Sequence, residues 1–258
     1  MLAVALGVGL VVAVSCCYES LRVSVTEWIL SWLGRSQIHI EHRLGTSATF
    51  EQSLLEQVRR TEGVRLAAPR SRFWMTLIKP PYRPGAELPP QARLPVDCYG
   101  IEPTVEYQVR GYKLEAGRLL QPGEADAIVL QADLAETLHR RPGQSVMLED
   151  ATGKALQLRL VGTVVKPRLG PFQRSSAYVL LSRLQEMAYS RDKIHTIDVL
   201  VEPDASVQRV QQRLRDSLPP YVVIDTSESK LRHINDGMRL LNLVLLLNSI
   251  CALLAAVF

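Results

Sequence analysis

Two apolar runs bracket this chain, and they constrain it more than anything between them. It opens "MLAVALGVGLVVAVSCC" and closes "RLLNLVLLLNSICALLAAVF". From Leu241 to Phe258 there are 18 residues without a charge, interrupted only by Asn242, Asn248 and Ser249. At about 1.5 Å per helical residue this run spans roughly 27 Å, just short of a hydrocarbon core. The opening run, Leu2 to Cys17, lacks the positive n-region and small-residue cleavage site of a secretory signal. The pattern predicts two transmembrane helices, both cut short, flanking one water-exposed domain of a longer membrane protein. Asn242 and Asn248 are then expected to face another helix, where their amides find partners.

Both runs continue into amphipathic sequence. Tyr18, Leu21, Val25, Trp28 and Trp32 are spaced 3, 4, 3, 4, a heptad seam that ends before Gly34. Leu231, Ile234, Met238, Leu241 and Leu245 repeat the same spacing at the far end. These positions read as stalks that leave the membrane and pack on one another; the alternative is that each seam faces the domain or lipid. Asp225 with Glu228 reads as the capping pair of the second stalk.

The remaining sequence, roughly 200 residues of ordinary soluble composition, suffices for one or two cores. Thirty Lys and Arg against 26 Asp and Glu give a net charge of +4, scattered along the chain. No clustered basic face exists for nucleic acid. Cys16, Cys17 and Cys251 fall in the apolar ends, leaving Cys98 alone in the middle, so no disulfide is expected there.

Between the stalks the hydrophobic period alternates between 2 and 3.6. "QIHIEH" (37–42) reads as a strand, "FEQSLLEQVRRTEG" (50–63) as a helix, and "VRLAAPRSRFWMTLIK" (64–79) as a strand broken or bulged at Pro69. Strand 194–202, helix 206–218 with apolar Val207, Val210, Leu214 and Leu218, and strand 221–226 form a second such unit. The expected fold is α+β: two split β-α-β halves, porter-like, in one sheet with helices on one face. A Pro-rich surface loop over 79–95 precedes an inserted β-rich subdomain. Its strands are "VDCYGI", "DAIVL", "SVMLED" and "KALQLRLVGTVV", with a turn at Thr152-Gly153 and one helix over 131–140. The implied organisation is 1–35 helix and stalk, 36–95 first half with its loop, 96–172 insert, 173–226 second half, and 227–258 stalk and helix.

Sites of chemistry are absent from the motifs. There is no phosphate-binding G-x-x-x-x-G-K-[ST], no G-x-S-x-G, no H-E-x-x-H and no C-x-x-C. His39 and Glu41 share a strand face and His42 the other, which reads as a solvated strand edge rather than a metal site. Asp97-Cys98 has no nearby histidine, so Cys98 is expected to be buried and inert. His139, His195 and His233 read as isolated surface or capping residues. No catalytic residue, cofactor or metal is expected.

The stretch "GRLLQPGEADAIVLQADLAETLHRRPGQSVMLEDATGKALQLRLVGTVVKP" resembles the periplasmic core of the FtsX-like, MacB/LolC-type ABC transporter permeases. The resemblance rests on the order of Gly117-Arg118, "AIVL", Leu134-Ala135, Leu138, Pro142-Gly143 and Val161-Gly162-Thr163-Val164-Val165 inside a helix-ectodomain-helix frame. It departs at "HRRPGQS", where the family more often has Gly-Asp. It implies a non-enzymatic permease in the bacterial plasma (inner) membrane, multi-pass, with the central domain extracytoplasmic. Implied partners are a separate cytoplasmic ABC ATPase subunit, a second permease copy or paralogue, membrane lipid, and an extracytoplasmic adaptor or lipoprotein. ATP-driven motion would pass through the stalks to export or extract a lipid, lipoprotein, peptide or drug-like substrate. The rival reading is a sensory receptor with a ligand-binding domain between two transmembrane helices; a tethered enzyme comes third.

Overall fold

The computed structural model describes residues 9, 12–14, 16–26, 34–81, 89–166 and 174–257. Residues 16–26 are helical, and Trp28 and Trp32 lie outside the described residues.

The first lobe is a four-stranded antiparallel sheet in the order β12-β1-β11-β3. Its strands are β1 (Ile38–His42), β3 (Val64–Ile78), β11 (Thr196–Val201) and β12 (Val222–Thr226). β1 and β3 run parallel with β11 between them, and β11 and β12 run parallel with β1 between them. Each β-α-β unit is therefore split by a strand of the other, as the two-half reading expects. The crossovers are α1 (Leu54–Arg59), preceded by a short strand β2 (Phe50–Glu51), and α5 (Val207–Ser217). α1 is shorter than the sequence suggests. Alternation decides the faces: Ile38, Ile40, Ile197 and Val199 bury themselves beneath Leu55, Val58, Val210 and Leu214 of the two helices. Each fully buried aliphatic side chain favours this register by about 1.5–3 kcal/mol, and a one-residue slip would reverse every one of them.

Two details differ from expectation. β3 runs unbroken through Pro69, which pairs with Ile197; the register shift falls between Leu200 and Val201, which pair with Leu66 and Val64. The sheet is also covered on its second face by α2 (Pro103–Val109), where Val109 packs on Ala68 and Leu200. Helix α2 escaped the periodicity because it is only seven residues long.

The second lobe is a closed ring. β3 pairs with β4 (Arg93–Ile101), β4 with β9 (Ser176–Leu180), and β9 with β6 (Ala127–Gln131). β6 pairs with β8 (Ala155–Val165), β8 with β7 (Ser145–Glu149), and β7 returns to the C-terminal end of β3. Alternate residues line the inside: Met75 and Leu77, Val96 and Cys98, Ile128 and Leu130, Val146 and Leu148, Leu158 and Leu160, Ala177 and Val179. Helices α3 (Ala132–Thr137) and α4 (Leu181–Met187) contribute Leu134 and Leu184 to that core. The β-rich insert thus borrows β3 and β9 to close. A short strand β10 (Lys193–Ile194) pairs with β2 outside both lobes. Long β3 belongs to both lobes and sets their relative position.

Gly117 and Gly162 have a steric reason for being glycine. They face each other where β5 (Lys113–Gly117) meets β8. A Cβ on Gly117, at φ +74°, would lie 2.3 Å from the Val161 carbonyl oxygen, and one on Gly162 would lie 2.1 Å from that of Arg118. Both distances are far inside van der Waals contact.

The last helix, α6 (Ser227–Val257), starts directly from β12. Its first turn is capped by Thr226, whose Oγ1 accepts from the Ser229 N–H at 3.1 Å; Asp225, the expected cap, lies within β12. Among the described residues no helix is long and apolar enough to cross a membrane.

Candidate functional site

The roots of both flanking segments meet at one end of the sheet. Ser227 donates through its N–H to the Gln37 carbonyl at 2.9 Å and through its hydroxyl to the Ser36 carbonyl at 2.6 Å. Arg35 donates its N–H to the Val109 carbonyl at 2.7 Å, and Gly34 sits at φ +63° with no room for a Cβ against that carbonyl. Whatever enters through residues 34–37 and leaves through 227–230 is therefore fastened together.

From this junction a line of buried ionic side chains runs into the molecule. Lys230, in the first turn of α6, donates to Glu41 at 2.7 Å, and Glu41 lies 3.6 Å from Nε2 of His39. His39 Nδ1 donates to Asp198 Oδ1 at 2.6 Å, and Arg110 donates to the other oxygen of Asp198 at 2.7 Å. Arg110 also reaches Glu106 at 3.3 Å. Tyr112 donates to Glu106 at 2.7 Å while accepting from Arg70 at 3.2 Å. The Arg70 guanidinium lies 4.3 Å over the Tyr99 ring, which stacks on Tyr178 at 5.5 Å. The line thus crosses from α6 through β1, β11, α2 and β3 to the outer wall of the ring at β4 and β9.

Local structure explains how these groups align. His39 and Glu41 sit two apart on β1 and share its second face, and His39 stands directly opposite Asp198 in the ladder. Glu106 and Arg110 are four apart on α2. His39 and Asp198 are 1% and 0% exposed. The expected solvated edge at His39 is corrected: β1 is an interior strand, flanked by β11 and β12. His195, expected at the surface, is likewise buried, its Nδ1 accepting from the Arg72 N–H at 3.3 Å.

The electrostatics follow from burial and pairing. Burial pulls the His39 pKa down, but the Asp198 charge and the bonds to Asp198 and Glu41 outweigh it and raise it, so the ring is an imidazolium with both N–H groups donating. Burial raises the Asp198 carboxyl, but Arg110 and His39 overcome this and hold it well below the usual range. Glu41 is held down at about 2, first by its bond to His39 and, against burial, by Lys230. Burial pushes the Cys98 thiol up to about 12, in keeping with an inert core cysteine.

Lys166 marks the positive side of the cluster. It donates to Ser176 at 3.0 Å and is lowered to about 7, by burial first and then by Arg70. Because its folded pKa lies below the unfolded value of about 10.5, the folded chain binds fewer protons between about pH 7 and 10.5. Stability contributed through Lys166 therefore rises with pH across that window. Urea midpoints of the parent and Lys166→Met at several pH values should show the difference between them shrinking from pH 7 to 10. A pH-independent difference would mean that Lys166 titrates normally.

The stalk positions named from the sequence are placed as follows. Tyr18 is buried, Val25 half-buried and Leu21 exposed. On α6, Leu231, Ile234, Met238 and Leu245 are half-buried, whereas Leu241 is exposed and its neighbour Asn242 half-buried; Asn248 is exposed. The seam drifts from 241 to 242 because a straight helix repeats every 3.6 residues, not 3.5. His42, His139 and His233 lie outside the ionic line, and His139 and His233 are exposed. Among the described residues no group of His, Cys, Asp and Glu is arranged to hold a metal. Of the ionic line, only the 106/110 spacing carried a local sequence signal.

A split β-α-β sheet sharing a strand with a closed ring, both rooted on a long helix, defines an extracytoplasmic domain of the transporter-associated kind. The chain belongs to the MacB-like periplasmic core domain family, which matches residues 1–217. It thus carries the periplasmic domain of an ABC transporter permease family, as the resemblance implied. The periplasmic region of MacB from Actinobacillus actinomycetemcomitans is similar in structure, with TM-score 0.59 and 16% identity over 80% of this chain and 95% of that one. The extracellular domain of the noncanonic ABC-type transporter YknZ from Gram-positive bacteria gives TM-score 0.53 and 12% identity, covering 73% of this chain and 99% of that one. No curated protein matches the sequence.

Proposed function

We propose that the chain is the permease subunit of an ABC transporter that passes cytoplasmic ATP-driven motion to its extracytoplasmic domain. In this reading residues 1–35 and 227–258 enter the bacterial plasma membrane and contact lipid. ATP hydrolysis resides in a separate ATPase subunit, and a second permease copy or paralogue completes the assembly. The cargo is a lipid, lipoprotein, peptide or drug-like molecule, moved with or without an extracytoplasmic adaptor or lipoprotein. The observation that carries the reading is the ionic line from Lys230 to Arg70. It ties the first turn of α6 to both lobes through charged contacts at 2.6–3.6 Å. Buried charges of this kind have few alternative partners, so displacement of the helix root is felt along the whole line.

The test is a distance measurement. Spin labels at Arg232→Cys on α6 and Gln157→Cys on the ring, both exposed positions, report movement between them. The exposed Cys16, Cys17 and Cys251 are replaced first. In membranes containing the cognate ATPase subunit, a nonhydrolysable ATP analogue should shift the distance distribution. A shift produced by an external ligand alone, with none on nucleotide, would support the receptor reading instead.

A further inference from the structure

A small cavity of about 20 Å³ lies at the junction of the lobes, lined by Arg70, Arg72, Arg110, Tyr99, His195, Thr46, Ser71 and Thr196. It has room for one atom of about the size of a water molecule. Its lining is chemically one-sided: three guanidiniums, three hydroxyls, an imidazole and a phenol, with no carboxylate.

The carboxylates nearby are already engaged elsewhere. Arg110 spends its terminal nitrogens on Asp198 and Glu106, and Arg72 directs Nη2 to Asp97 at 2.9 Å. Arg70 directs Nη2 to Tyr112. This leaves Nε of Arg70 and Nε of Arg72 buried without a hydrogen-bond partner. Arg70 is 6% exposed, so water from outside does not reach it as a matter of course. His195 uses Nδ1 as an acceptor, which puts its proton on Nε2 and adds another donor to the wall.

A water molecule placed there would meet donors on most sides and would lack acceptors for its own two hydrogens. A small anion would satisfy every donor and offset the local excess of positive charge. The depression of Lys166, to which Arg70, Arg72 and Arg110 all contribute, is an independent sign of that excess.

We propose that this cavity is a monovalent-anion site of halide size, in which one chloride is held by the side chains of Arg70, Arg72 and Arg110 and joins the two lobes. The cavity lies between β3, shared by both lobes, Arg110 at the end of α2, and Tyr99 on the ring wall. An anion there would lock the end of the ionic line farthest from α6. The site takes neither phosphate nor carboxylate ligands, which exceed its volume.

The experiment uses the full chain in detergent at constant ionic strength, with chloride exchanged for gluconate. Each tenfold rise in chloride above its dissociation constant should raise the melting temperature by about 3–5 °C. Crystals of the same chain grown in sodium bromide should show an anomalous peak between Arg70 and Arg72. Arg72→Gln should abolish the chloride dependence. Equal melting in chloride and gluconate, with no bromide peak, would overturn the proposal in favour of an ordinary buried water. An equal chloride effect in the parent and Arg72→Gln would assign it to bulk salt and overturn it equally. The bromide measurement needs no variant, so misfolding of Arg72→Gln cannot hide the answer.

Discussion

Replacing Asp198 with alanine should lower the unfolding free energy by about 3–5 kcal/mol, the usual effect of removing one partner from a buried ion pair. The reason lies in what remains. Asp198 is fully buried and accepts from both His39 and Arg110. Without it, an imidazole and a guanidinium are left in the sheet interior facing each other. His39 responds by losing its proton, since the charge that raised its pKa is gone. Arg110 has no such escape, because guanidinium does not deprotonate in proteins. It must keep its charge with Glu106 alone. Asp198→Asn, which restores shape and one acceptor, should recover part of the loss and leave His39 neutral at pH 7. Equilibrium denaturation gives the energies, and NMR titration of the His39 ring gives its protonation. If Asp198→Ala loses less than about 1 kcal/mol, the line is exposed to solvent in practice and cannot transmit force as proposed.

Proline at Ile234 should uncouple the transporter while leaving its parts intact. Ile234 lies in the second turn of α6, and its N–H bonds within the helix to the carbonyl of Lys230. Proline removes that bond and drives its ring against the same carbonyl, at about 3 kcal/mol. The break falls immediately after the residue that holds Glu41, so the ionic line keeps its anchor while the helix beyond it bends. Both lobes have their own cores and should retain their structure. In reconstituted membranes with the ATPase subunit, ATP hydrolysis should continue while substrate movement falls at least tenfold. Ile234→Ala, which removes the side chain but keeps the backbone bond, should behave close to the parent. Unchanged transport in the proline variant would mean that α6 is not the mechanical link.

The two predictions draw on parts of the molecule that were unequally visible in the sequence. The split sheet was legible because its strands and helices carry strong periods: Ile38 and Ile40 alternate with His39 and Glu41, and Val210 and Leu214 repeat on one side of α5. Half of the ring was legible for the same reason. Its closure was not, because β9 pairs with β4 across about 80 residues and β7 returns to β3 across about 70. Nothing local in "SAYVL" distinguishes a strand of the ring from a strand of the sheet. The reading of His39 went astray at the same point. An alternating strand looks identical at an edge and in the middle, and only the ladder partners on both sides buried it.

What the sequence by itself determined is the order of elements, the faces they bury, the glycines at close approaches and the family to which the chain belongs. These depend on periods of two and 3.6 residues and on sterics within a few positions. What only the tertiary structure decided is the ionic line, the shared strand and the cavity beside Arg70. Their members, from Glu41 and His39 to Arg70, Glu106, Arg110 and Asp198, are brought together from separate elements far apart in the chain. Pairing between charges depends on distance and on exclusion of water, and neither exists until the sheet, α2 and the ring have packed.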